Sequence, residues 1–312
     1  MFNYAMRKLG LGVLTVLAVT VILFLILHSI PGDPIRMITD PRVSDEVIEE
    51  LRARWGLDRP LHVQYFYWIG NILRGDMGTS IMTHQSVAYL IRTRLPYTLA
   101  LAVGALIFRY VVGVTLGLFV AVRRGTIADK ILVSLAVVLR SIPQFWLGIL
   151  LIILFSVTWR LLPISGYDGP QSFILPLMAL ALPPIASTMR LTRSEILEVM
   201  REDYVRTAHA KGVSWYGVMI RHVLRNALIP ITVTFFLSLP WLIGGSVVVE
   251  NVFAWPGMGR LLWRSIMRQD LPVVQGIVLI IAVLTVTSNT VGDIMTGVLD
   301  PRIREQMEGH SK

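Results

Sequence analysis

Apolar residues fall in solid runs along this chain, and polar residues gather between them. Leu9 to Leu27 is nineteen residues without a charge, and apolar runs of about 17 to 25 residues are what a hydrocarbon core of roughly 30 Å demands of a helix. Six such spans can be marked, at roughly 9 to 30, 97 to 122, 131 to 158, 173 to 190, 229 to 249 and 273 to 297. Strands fit poorly, because an open sheet leaves edge groups unpaired in lipid and a barrel shows alternating segments of about ten residues. The pattern predicts an all-α, polytopic membrane protein with six transmembrane helices.

A cleaved leader competes for the first span, since Arg7 and Lys8 precede it. Its apolar run exceeds the usual core of about 7 to 15 residues, and no small-residue cleavage site follows. Pro31-Gly32-Asp33-Pro34 is expected to end a membrane helix instead.

Composition agrees with the pattern: 54% of the residues are hydrophobic and 16% charged, against about a quarter charged in soluble domains. The absence of cysteine excludes disulfides, thiolate metal sites and thiol catalysis. A net charge of +9 reads as membrane orientation rather than nucleic-acid binding. With the N-terminus inside, the short inner segments hold fifteen Lys and Arg and the short outer ones four: Arg160, Arg260, Arg264 and Arg268. Both termini are then expected in the cytoplasm.

Three parts follow: a first transmembrane helix over 1–30, an external region over 31–96, and a five-helix core over 97–312 that includes a cytoplasmic loop over 191–228. Ser44 precedes an acidic first turn, with Val47, Ile48 and Leu51 on one helical face. Trp68 to Leu73, preceded by Tyr65, Phe66 and Tyr67, suits the headgroup level. The external region reads either as a small cap on the helix ends or as a surface for a solute receptor.

Polar and helix-breaking residues inside the spans mark candidates for a translocation path: Arg109, Ser141, Pro143, Gly244 and Gly245. A charge in mid-bilayer costs at least about 2.5 kcal/mol, so Arg109 should face the bundle or water. Asp293 is the only carboxylate within these spans, yet it differs from Arg109 in depth by roughly 10 Å or more. Arg140 is expected to reach the inner interface. Pro143, Pro176, Pro183, Pro184 and Pro240 each remove a backbone donor. Gly244-Gly245-Ser246 reads first as a close helix contact.

Between Arg190 and Ala227 charged and apolar residues alternate at helical spacing. One amphipathic helix is expected, with Glu198, Glu202 and Arg206 four residues apart. Gly212 is expected to end it as a left-handed cap, and Ser214 to cap a second short helix.

This loop resembles that of bacterial ABC importer permeases, in the branch that serves dipeptide, oligopeptide and nickel importers. That branch shows Asp-Tyr-x-Arg-Thr-Ala-x-Ala-Lys-Gly and then His-x-Leu-Arg-Asn-Ala-x-x-Pro, matched from Asp203 to Gly212 and from His222 to Pro230. Gly56-Leu57-Asp58-x-Pro60, Gly75-Asp76-Met77-Gly78, Ser141-x-Pro143-x-Phe145, Trp255-Pro256-Gly257-Met258-Gly259-Arg260 and Asp300-Pro301-Arg302-Ile303-Arg304 continue the likeness. Arg109 and Arg140 fall where that branch has apolar or small residues.

The resemblance implies a six-helix permease of the bacterial inner membrane, a second permease subunit, two ATP-binding subunits and an extracytoplasmic solute-binding protein. It implies a small peptide as substrate, with nickel or a nickel chelate as the alternative. Asp203, Tyr204, Arg206, Ala208, Ala210, Lys211 and Gly212 would meet the ATPase. No cofactor and no metal are expected. An enzyme fits poorly, since the chain has no Gly-Lys dipeptide for a phosphate-cradling loop and no His-Glu-x-x-His or Gly-x-Ser-x-Gly pattern. A self-sufficient channel or carrier is the rival of another class.

Overall fold

The computed structural model describes residues 2–29, 44–55 and 58–299. Pro31-Gly32-Asp33-Pro34, Gly56-Leu57 and the closing Asp300-Pro301-Arg302-Ile303-Arg304 lie outside the described residues. Helices dominate in the order α1 (Phe2–Ser29), α2 (Asp45–Trp55), α3 (Leu61–Leu73), α4 (Val87–Val122), α5 (Ile127–Ser141), α6 (Gln144–Leu151), α7 (Ile174–Val199), α8 (Asp203–Ala210), α9 (Trp215–Val218), α10 (Arg225–Leu237), α11 (Leu239–Val252), α12 (Met258–Met267) and α13 (Leu271–Leu299). Wider π turns extend α6 over Ile152–Thr158 and join α9 to α10 over Met219–Leu224.

Among the described residues, five stretches are long and apolar enough to cross a membrane: Met6–Ser29, Val87–Val122, Pro170–Val199, Trp215–Trp241 and Leu271–Val298. The third expected span, 131 to 158, is a pair, Ile127–Ser141 and Gln144–Thr158, bent by 107°. Pro143 explains the bend. It lacks an N–H, and it drives the preceding Ile142 into an extended conformation with φ −84° and ψ 123°.

Other boundaries also move. α4 begins at Val87, ten residues before the apolar run marked from 97, because Val87, Leu90 and Ile91 are buried against Met258, Val273 and Ile277 while Arg92 faces out. The fifth span begins at Trp215 rather than 229. Its polar residues Arg221, Arg225 and Asn226 are exposed, whereas Val218, Met219, Val223 and Ala227 are buried. Pro183 and Pro184 do not interrupt α7, which runs on to Val199.

Helices α4 and α7 form the spine. Gly113 and Gly117 face Thr188 and Thr192 so closely that a Cβ on Gly117 would stand 2.7 Å from the Met189 carbonyl. Small residues at this spacing let backbones approach where lipid supplies no hydrophobic drive. Gly148 likewise lies against Val252 and Phe253, and Gly12 of α1 against Val286 of α13. Gly244 has no such neighbour among the described residues, with nothing within 4 Å of a Cβ built there, whereas a Cβ on Gly245 would meet the Trp241 ring of its own helix at 3.2 Å.

At one end α3 lies along α1, with Tyr65 Oη and Thr20 Oγ1 2.9 Å apart and the Tyr65 ring against Phe24. Phe66 and Tyr67 of α3 stay exposed. In Gly75-Asp76-Met77-Gly78 both glycines have positive φ, 86° and 79°, and Asp76 Oδ1 accepts the Gly78 N–H at 2.8 Å. That turn leads to Ser80, whose hydroxyl donates to the buried Asp270 at the head of α13.

Candidate functional site

The loop after α7 is built on a core of its own. Val205 and Ala208 of α8 pack with Val218, Met219, Val223 and Ala227, and this cluster reaches Ala121 of α4 and Ile196 of α7. The single amphipathic helix expected up to Gly212 is broken, since α7 stops at Val199 and Glu202 adopts an extended conformation before α8. The spacing of Glu198, Glu202 and Arg206 therefore makes no continuous stripe. Arg206 instead bonds Asp203 at 2.8 Å on the exposed face.

Gly212 ends α8 with φ +78°. Its N–H donates to the His209 carbonyl at 2.9 Å, and the Val213 N–H reaches back to the Ala208 carbonyl at 3.3 Å. This paired closure needs a residue in the left-handed region, which favours glycine. Ser214 then caps α9, its hydroxyl accepting the Gly217 N–H at 3.3 Å. Both sequence expectations are met here.

Of the residues singled out in this loop, Asp203, Tyr204, Arg206, Ala210, Lys211 and Gly212 are exposed. Ala208 is not: it is 7% exposed and belongs to the internal core, because its position on α8 faces Val218 and Val223. Val213, Trp215 and Tyr216 lie in the same loop but were not singled out individually from the sequence. The two aromatic residues are 51% and 72% exposed and stand directly after the glycine turn. The signal was present as an aromatic pair directly after a helix cap in a charged loop. Beside them a cavity of about 340 Å³ is lined by Arg201, Arg206, His209, Trp215 and Met219, among others.

The pair Asp129 and Arg193 braces the same end. Arg193 donates to both carboxylate oxygens, at 3.1 and 2.9 Å, while the Gly125 N–H donates to Asp129 at 2.9 Å. A bidentate pair of this kind fixes orientation as well as energy. It ties the start of α5 to α7.

The path candidates separate into two groups. Ser141, Pro143 and Gly244 are exposed and Gly245 is half-buried, so they lie on free faces of the chain. Arg109 is turned into the bundle, where its Nε donates to Thr188 Oγ1 at 2.9 Å and its Nη1 to Ser238 Oγ at 3.3 Å. Asp293, considered as its partner from sequence, pairs with Lys8 instead, at 2.6 Å. Arg140 is exposed.

Sequence reasoning also missed Glu250, which is fully buried at the end of α11. Its carboxylate accepts from Thr98 Oγ1 at 2.7 Å, from Ser246 Oγ at 3.1 Å and from the Arg260 N–H at 3.1 Å. The stretch from Trp255 to Arg260 wraps around it: a Cβ on Gly257 would fall on the carboxylate, and Met258 N donates to Thr98 Oγ1 at 2.8 Å. Trp255 is buried and donates its indole N–H to the Tyr97 carbonyl at 3.1 Å.

The family model described as the binding-protein-dependent transport system inner membrane component matches residues 113–305, and the model of its N-terminal part matches residues 1–102. The chain belongs to this family. Among similar proteins, the glutathione transport system permease protein GsiC of Salmonella choleraesuis is 42% identical over 305 residues, 97% of this chain and 99% of that protein. The dipeptide transport system permease protein DppB of Escherichia coli is 37% identical over 338 residues, 98% of this chain and 100% of that protein. The di/tripeptide transport system permease protein DppB of Pseudomonas aeruginosa is 38% identical over 335 residues, 98% of this chain and 100% of that protein. The fold is shared with the MetNI methionine ABC transporter, at TM-score 0.58 and 19% identity over 68% of this chain and 97% of that one. This DppB-like ABC permease is thus a multi-pass inner-membrane protein whose family works with ATPase and substrate-binding subunits.

Proposed function

We propose that this permease is one of two membrane subunits of an ATP-driven importer of short peptides. The full-length likeness to permeases named for glutathione, dipeptides and di/tripeptides supports the cargo class. The observation that carries the coupling role is the outcrop around Gly212, a rigid core that displays Tyr204, Val213, Trp215 and Tyr216 without burying them. Aromatic side chains held in this way are what hot spots of protein interfaces are made of. Asp203, Tyr204, Arg206, Ala210, Lys211 and Gly212 would meet an ATP-binding subunit, and Ala208 would support them from behind.

The Lys8 and Asp293 pair puts the N-terminal and C-terminal helix ends at one level. With the charge bias of the inner segments, this supports both termini in the cytoplasm. The opposite end would receive the solute-binding protein. There α12 carries Arg260 and Arg264, and burial followed by repulsion from Arg264 and Arg94 holds Arg260 below its ordinary pKa. Such a basic surface suits an acidic partner. The exposed faces bearing Ser141, Pro143, Gly244 and Gly245 would meet the second permease along the path.

Reconstitution with the partner subunits in vesicles tests the proposal by ATP-dependent accumulation of labelled dipeptides. Uptake that requires both ATP and the binding protein is expected. ATP-dependent uptake of nickel alone would move the cargo to a metal, and flux without ATP would overturn the importer reading.

A further inference from the structure

A continuous helical stretch, with π turns over Met219–Leu224, runs from Trp215, beside the Gly212 turn, to Leu237. There it meets α11 at Ser238. Pro240 has no N–H to continue the regular ladder, and the Phe236 carbonyl instead accepts a backbone N–H at the Ser238 cap. Gly292 of α13 lies against that carbonyl, with a Cβ position 3.1 Å away. The other side of the joint is held by Arg109 of α4.

Arg109 bonds Ser238 of the joint and Thr188 of α7 at once, and Tyr110 Oη stands 3.1 Å from the same Ser238 hydroxyl. Its Cζ lies 4.9 Å from the Tyr110 ring centroid. Among the described residues it makes no ion pair. A guanidinium is always charged and carries five donors, and only two are spent here, both on neutral hydroxyls. Val103, Ile107 and Val111 form the exposed stripe of α4, whereas Ala102, Ala105 and Gly113 flank Arg109 on the buried one. Arg109 therefore addresses the chain's own helices rather than a free face.

We infer that Arg109 is a positioning residue for energy coupling: it holds the joint at Ser238 through which movement of the loop around Gly212 reaches α11. The inference rests on the ATP-driven reading above. Hydroxyl acceptors suit the task because they satisfy the charge without fixing it. A carboxylate in the same place would lock one arrangement, whereas spare donors allow Arg109 to exchange acceptors as the joint turns between two packings.

The test uses the complete transporter in nanodiscs, with uptake and ATP hydrolysis measured on the same preparation after transfer to vesicles. Arg109→Gln and Ser238→Ala are each expected to lower peptide imported per ATP hydrolysed by about five-fold or more. The double variant should fall no further, and Arg109→Lys should recover part of the loss. An unchanged ratio in both single variants overturns the inference. So do losses that multiply in the double variant, losses that follow only the amount of assembled complex, and a change confined to peptide KM, which would place Arg109 on the path. Absence of ATP-driven uptake in the unaltered complex overturns the importer reading and this inference with it.

Discussion

Lys8 donates to Asp293 Oδ2 at 2.6 Å, joining α1 to α13 across 285 positions of sequence. Both side chains are about 30% exposed, at 31% and 28%, so solvent screens the pair and its worth is about 1 kcal/mol. Asp293→Asn is expected to lower stability in detergent by about that amount. A Lys8→Asp, Asp293→Lys exchange should recover part of the loss in the same thermal unfolding measurement.

Replacing Glu250 by Ala takes the carboxylate acceptor away from the buried Thr98 hydroxyl and the backbone N–H of Arg260. A cost of about 3 kcal/mol or more is expected. Glu250→Gln keeps an acceptor oxygen and most of the volume, so it should be milder. Equal thermal stability of Glu250→Ala and the parent would refute a stabilising role for the buried Glu250 bonds.

Gly257→Ala and Gly244→Ala give a paired comparison. The first Cβ falls on the Glu250 carboxylate, while the second meets nothing within 4 Å. Destabilisation is predicted for Gly257→Ala alone when the permease is purified by itself. Gly244→Ala should show its effect only in the two-permease complex, as reduced uptake, if that face lines the path.

Gly212→Val meets no steric neighbour, so its cost is conformational. A β-branched residue at φ +78° loses roughly 1–2 kcal/mol and opens the paired closure of α8. Reduced uptake with ATP hydrolysis released from transport is expected, with the protein still inserted. Normal uptake at normal expression would remove Gly212 from the coupling role.

Trp215→Ala and Tyr216→Ala should leave the permease folded, because neither side chain is buried. Each is expected to weaken capture of the ATP-binding subunit by about 2 kcal/mol or more. Co-purification at graded detergent and salt would read this out. Unchanged capture would show that the aromatic pair faces lipid or water instead.

Much of this architecture is legible in the sequence because bilayer thickness acts on every span alike. The apolar runs reveal the helices, and turn chemistry reveals Gly212 and Ser214. Hydropathy is blind where a helix is half-sided: Arg221 and Arg225 hid the start of the fifth span because their neighbours Val218 and Val223 face inward. The break at Glu202 was hidden by helix-favouring residues on both sides. Glu250 lay one residue beyond a marked span, and its partners Thr98 and Arg260 are distant in sequence, so no local pattern joins them. The partners of Arg109 are hidden for a related reason: a cation within a span suggests a carboxylate, and here the hydroxyls of Thr188 and Ser238 take that place.

Helix α4 is longer than any membrane requires. Its 36 residues reach about 54 Å at 1.5 Å per residue, against a hydrocarbon layer of about 30 Å. The surplus at the Val87 end is packed against Met258 and Val273, and the opposite end shares a core with the loop around Ala208. One continuous element thus anchors the cores at both ends of the molecule, so loosening α4 would cost the Met258 cluster and the loop cluster together.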